Sequence, residues 1–245
     1  MPPSQQPSTV SDTRWPDAAA PRESSTLTAS LARGGAIASL LQAIAYVTAS
    51  LAAFQIPLDR VTSDLSGLSA YYQRSPVPLT VLSLSLIGLA VLGIGAVVPV
   101  TGELIGVARR GWALFGRNVA LLCLTVVCAY YAWYLWALPR LAADGAAATN
   151  PQAPTNWVVW FMFGGMGLWV AVVGVVGVFV ERTLPKGFVA PCLVKTVGFW
   201  LVVAGVSVDN LSLAILGVLI GALVGGTAYH LWLAALLWRK AAVLS

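Results

Sequence analysis

A chain of 245 residues that is 58% hydrophobic and only 9% charged, with a mean hydropathy of +0.83, does not have water as its main solvent, because soluble domains carry roughly 25% charged residues. The length suits one membrane bundle, each span consuming about 20 apolar residues, and no separate soluble domain is expected within it. The net charge of +5 rests on basic residues scattered at the ends of apolar segments rather than gathered on one face, which argues for a lipid bilayer as partner and against nucleic acid.

Residues 1–30 are rich in Pro, Ser, Thr, Gln and Ala without an apolar run. They bury too little surface to offset ordering entropy and are expected to form a disordered cytoplasmic tail. Residues 31–240 are expected to be an all-α, six-span transmembrane helix bundle, with spans at about 34–54, 79–100, 118–138, 157–180, 189–208 and 211–237. An uninterrupted apolar stretch in lipid must satisfy its own backbone, which makes each span helical. The first stretch begins near Gly34 and is long enough to cross, so it is expected to remain as an uncleaved anchor. After Pro57, the residues Leu58, Val61, Leu65, Leu68 and Tyr72 recur every three or four positions opposite Asp59, Arg60, Ser63 and Asp64. That pattern predicts a short helix lying in the membrane interface. The connection from Pro139 to Asn156 reads as a flexible loop. The turn at Asp209 and Asn210 is so short that the fifth and sixth spans must form an antiparallel hairpin.

Orientation follows from the basic residues. With the amino terminus inside, ten of them (Arg14, Arg22, Arg33, Arg109, Arg110, Arg117, Arg182, Lys186, Arg239 and Lys240) fall in cytoplasmic segments, against three (Arg60, Arg74 and Arg140) outside. This bias predicts that both termini are cytoplasmic; the membrane itself is expected, from composition, to be a bacterial plasma membrane.

Three features stand out within the spans. In the sixth, Gly217, Gly221 and Gly225 share one helix face and suit close packing, either inside the bundle or as the interface of a homo-oligomer or larger membrane complex. Gly164, Gly165, Gly167, Gly174 and Gly177 of the fourth span would suit being their partner. Aromatic residues crowd the outer ends of the third and fourth spans: Tyr130, Tyr131, Trp133, Tyr134 and Trp136, then Trp157, Trp160 and Phe161. They read as an interfacial belt or as a pocket for a flat lipophilic molecule such as a quinone, carotenoid or sterol. Finally, Gln42, Lys195 and His230 lie at a similar depth, roughly 9 to 12 Å inside the inner boundary at 1.5 Å rise per residue. Glu103 and Glu181 lie near that boundary, so a polar cluster is geometrically feasible.

Each polar residue also has a plain reading. Lys195 is expected to lift its ammonium to the headgroups along its own stem. His230 is expected to make one hydrogen bond within the bundle, with a proton-linked role or imidazole ligation of a tetrapyrrole as the sharper alternatives. It is the single histidine, which rules out a bis-histidine haem and an HExxH zinc site. Cys123, Cys128 and Cys192 all fall within spans and read as small packing residues, not as a disulfide or a metal site. There is no GxxxxGK[ST] loop, GxSxG elbow or intramembrane carboxylate pair. The chemistry singles out no cofactor and no catalytic residue.

The turn Leu184, Pro185, Lys186, Gly187 and Phe188, and the run LWLAALLWR from Leu231 to Arg239, give the carboxy-terminal half its character. In both it resembles an uncharacterised family of small bacterial multi-pass membrane proteins, and the resemblance implies the same six-helix architecture. The small polar inventory and the glycine faces lead to the expectation of a non-enzymatic accessory or assembly-forming bundle. The alternative is a small carrier or membrane enzyme acting on a lipophilic compound, with the aromatic cluster for binding and Lys195 and His230 for proton movement.

Overall fold

The computed structural model describes residues 27–56, 65–143 and 155–245. Six of its helices are long and apolar enough to cross a membrane: α1 (Ala29–Phe54), α2 (Pro76–Leu104), α3 (Gly111–Arg140), α4 (Trp157–Val180), α5 (Lys186–Ser207) and α6 (Leu211–Leu244). Among the described residues there is no strand, and the chain is an all-α, multi-pass membrane protein. The expected tail up to residue 26, and Pro57, Leu58 and Val61 of the expected interfacial stripe, lie outside the described residues. An even number of crossings returns the chain to its starting side. The start of α1 and the end of α6 therefore share one end of the bundle, the terminal end: a Cβ added to Gly35 would meet Val100 and Leu237 there. The opposite end is the distal end.

Helix ends follow local chemistry. The Thr28 hydroxyl caps α1 by accepting from Leu31 N–H at 3.3 Å. Between α5 and α6, Asp209 takes the left-handed conformation (φ 53°), which a short polar side chain tolerates. Asn210 N–H then donates to Gly205 O at 2.7 Å, while the Asn210 side chain accepts from Leu213 N–H at 3.0 Å and starts α6. The antiparallel hairpin read from the sequence is present. The third helix departs from the expected boundaries, starting at Gly111 and running past Pro139 to Ala143, so the first part of the expected loop is helical. A proline so close to a helix end removes only one hydrogen bond. Arg140 folds back over this last turn, its Nη1 donating to Trp136 O at 2.7 Å and its guanidinium 4.2 Å from the Trp136 ring.

A short helix, Leu65–Arg74, precedes α2 and lies across the distal end. The Tyr71 hydroxyl donates to Gln55 O at 3.0 Å, Gln73 Nε2 donates to Ala142 O, and Tyr71 and Tyr72 pack on a cluster of Ile56, Leu79, Tyr134 and Leu138.

The glycine stripe of α6 is spent inside the hairpin. A Cβ on Gly221 would lie 2.7 Å from the Gly198 carbonyl carbon and the Phe199 nitrogen, one on Gly217 2.5 Å from Val202 N, and one on Gly225 2.6 Å from Lys195 N. The two backbones touch along the whole stripe, which leaves no space there for a second chain. The α4 glycines do not partner α6 as the sequence suggested. Gly167 meets Phe199 and Trp200 of α5, Gly174 meets Cys192 of α5, and Gly165 meets Cys123 of α3. Helix α5 is thus held between two glycine-bearing faces, which lets its neighbours approach closely in a medium where packing, not water exclusion, drives association.

Candidate functional site

The tight α5–α6 seam dictates where Lys195 goes. With its backbone against Gly225, its side chain is directed between α6 and α1, and it is 0% exposed. The Lys195 Nζ lies 2.9 Å from His230 Nε2. It also stands 4.6 Å from the ring centroids of Tyr46 and Tyr229 and 5.5 Å from that of Phe199. The expected snorkelling to the headgroups is therefore corrected: helix rotation, set by glycine contacts, encloses the stem before it can reach a surface. Aromatic faces attract the ammonium through their quadrupoles, each by about 0.5–2 kcal/mol.

His230 is positioned by the same device. Gly226, one turn earlier on α6, faces Tyr46, where a Cβ would lie 3.0 Å from the ring. Tyr46 can therefore lie flat against α6 and stack on His230, with centroids 5.4 Å apart and 23° between planes, while Tyr229 meets the imidazole edge-on at 4.9 Å. A widened, π-type stretch, Leu219–Gly226, runs into this turn; such stretches often accompany functional sites.

A hydrogen bond between an amine and an imidazole nitrogen needs one donor and one acceptor. Either Lys195 donates, as ammonium or as amine, to an Nε2 that carries no hydrogen, or it is an amine accepting from Nε2–H. In the first state the other imidazole nitrogen, Nδ1, carries the hydrogen, and Nδ1 is buried without a partner. The pair can thus pass a single proton between two atoms. Among the described residues, no carboxylate forms an ion pair with either member. Glu181, expected near this cluster, is held at the terminal end by Arg110 at 3.1 Å and Arg109 at 3.7 Å. A basic pair inside a membrane without a counter-charge is costly and is by default a functional hypothesis.

Gln42 has the expected depth but another direction. Its Nε2 donates to Leu89 O at 2.7 Å, tying α1 to α2 instead of joining the Lys195–His230 pair. One turn further along α1 is Tyr46, which the sequence reading passed over.

Next to the pair is an apolar cavity of about 180 Å³. Every span contributes to its wall, through Tyr46, Leu86, Tyr131, Phe163, Phe199 and Ala222. Tyr46 and Phe199 serve two purposes: each lines the cavity and each presents its ring to the Lys195 ammonium. The Ser50 hydroxyl, also in the wall, is buried without a hydrogen-bond partner.

The aromatic cluster divides between the two readings offered for it. Trp133, Trp136, Trp157, Trp160 and Phe161 are 41–58% exposed in the bundle and face outward, as a belt does. Tyr134 is 5% exposed and packs in the distal cluster, and Tyr131 lines the cavity. Tyr130 joins the two sets, its ring 5.1 Å from Tyr131 and 6.1 Å from Trp133. The three cysteines are free thiols, with Cys192 buried one turn before Lys195.

Tyr46, Phe199, Tyr229 and Phe163 complete the site and were not singled out by the sequence. A signal existed: Gln42 and Tyr46, Lys195 and Phe199, and Gly226 and His230 are each four residues apart, hence on one face of their helices. Compared with known proteins, the chain matches no family model, no curated protein and no solved structure.

Proposed function

We propose that this protein is a proton-linked carrier or membrane enzyme for a small lipophilic compound, which the central cavity holds while the Lys195–His230 pair takes up or gives back a proton. The observation that supports this reading is the double role of Tyr46 and Phe199, whose rings separate the cavity from the ammonium on which they also lie. A ligand that displaces either ring changes the surroundings of the buried Lys195 Nζ, and occupancy and protonation become linked. The size of the cavity narrows the ligand. A dry apolar cavity of about 150 Å³ accommodates benzene, so about 180 Å³ suits a single ring and is too small to enclose a sterol or a carotenoid. The expectation of an assembly-forming bundle rests on a small polar inventory and on the glycine faces, and of these the α6 glycines already pack against α5. The excess of basic residues at the terminal end favours placing both termini in the cytoplasm, which puts the proton pair in the cytoplasmic half and the cavity on its outward side.

The test is binding of fluorobenzene to the purified, detergent-solubilised protein, followed by fluorine NMR, with proton exchange read by a pH indicator in weak buffer. The wild type is expected to bind saturably and to exchange protons on binding. Lys195→Met is expected to bind without exchanging them. Wild-type protein that binds nothing, or that binds with the same proton exchange as Lys195→Met, overturns the reading.

A further inference from the structure

Helices α3 and α4 pack unevenly along their length. Towards the terminal end the seam is solid: Gly165 faces Cys123, and a Cβ on Gly116 would lie 2.8 Å from Val172. Towards the distal end the small residues give way to rings, and a groove of about 420 Å³ opens between the helices, lined by Val126, Ala129, Tyr130 and Trp133 of α3 and Trp157 of α4. Trp133 and Trp157 are half exposed on the flank of the bundle, and Trp157 begins α4, so the groove runs from the distal end of α4 down to Val126 near the middle of α3.

The groove and the internal cavity flank the same seam. Val126 and Tyr130 line the groove, whereas the next residues, Val127 and Tyr131, line the cavity. On the α3 side the two are joined by a ring contact, Tyr130 against Tyr131, edge-on with centroids 5.1 Å apart. Both rings sit on one turn of α3, and the facing stretch of α4, Trp160–Gly165, is a widened π-type stretch with no fully buried residue.

We infer that this groove is the membrane-side entry subsite for the cavity's ligand: a flat, uncharged aromatic compound partitions from the distal leaflet between Trp133 and Trp157, then passes the Tyr130–Tyr131 pair into the bundle. The inference rests on the cavity being a ligand site. Its lining identifies the class of compound, since three aromatic faces and no charged side chain suit a planar ring arriving from lipid.

The route predicts a separation of rate from affinity. Ala129 is exposed on the groove floor, so Ala129→Trp fills the groove without entering the core, and Val126→Trp gives a second, independent block. With fluorobenzene as the probe and fluorine saturation transfer as the readout, both variants are expected to slow exchange about tenfold or more while leaving Kd within about twofold. Tyr130→Ala is expected to speed exchange. Leu193→Trp, on the outer face of α5, serves as the bulk control and is expected to change neither. Binding with unchanged exchange in both blocking variants means another entry route and overturns the inference while sparing the cavity. An absence of wild-type binding overturns both.

Discussion

The α5–α6 hairpin and the distal α3–α4 seam are both made of apolar helices in contact, yet one is solid and the other hollow. In the hairpin, Gly198, Gly217, Gly221 and Gly225 let the backbones touch, and this fixed geometry points Lys195 at His230. In the distal seam rings replace the glycines: Tyr130, Trp133 and Trp157 line a groove, and Tyr131 lines the cavity. In lipid, apolar surface has little preference for another helix over an acyl chain, so side-chain shape decides which seams close. The same bundle can therefore keep a rigid polar pair and an adjustable apolar space within one ring diameter of each other.

Breaking the solid region has the largest expected effect. Gly221→Leu places a side chain where the backbone of Gly198 and Phe199 already lies, and overpacking of this kind is expected to cost about 3 kcal/mol or more. Unfolding in mixed detergents, followed by circular dichroism, reads it. An unchanged transition means that α5 and α6 are not in backbone contact.

The polar pair is expected to respond asymmetrically. Where Lys195 is the ammonium of the pair, His230→Leu leaves that charge buried without an acceptor, at a cost of about 2–3 kcal/mol. Lys195→Met removes the cation itself and leaves a neutral imidazole, so about 1 kcal/mol or less is expected. The double variant is expected to be more stable than His230→Leu alone, because the stranded charge is gone. A three-variant unfolding series tests the ranking, and equal losses in the two single variants would sink the argument that the charge, not the bond, dominates.

The fold was more legible than the site. Six spans, the α5–α6 hairpin and the outward tryptophans follow from run length, turn length and amphipathic composition. Depth was legible too, which is why Lys195 and His230 were already paired in height. Rotation about the helix axis was not. It put Gln42 on Leu89 O and Lys195 on His230, although all three share a depth. That rotation is set by which glycine meets which backbone, a relation between segments that no single span displays. The cavity was hidden for the same reason, since its wall draws on all six helices. Pro139 misled in the opposite direction: proline marks a boundary only where the helix has somewhere else to go, and here α3 continues to Ala143.

The sharpest comparison uses two adjacent residues and one added side chain. Gly221 faces the α5 backbone, whereas Ala222, its neighbour on α6, lines the cavity. Ala222→Leu carries its extra atoms into empty space, where they gain contacts that the void denies to its lining. Its effect on stability is expected to be small and favourable, about 0.5–1 kcal/mol, opposite in sign to that of Gly221→Leu. The same substitution occupies the ligand's volume, so fluorobenzene binding is expected to vanish while the unfolding transition rises or holds. A variant that loses stability would show that the space is filled in the folded protein. One that keeps both its stability and its binding would move the ligand site elsewhere. Only a gain or parity in stability joined to lost binding fits a bundle that is solid on one face of α6 and hollow on the next.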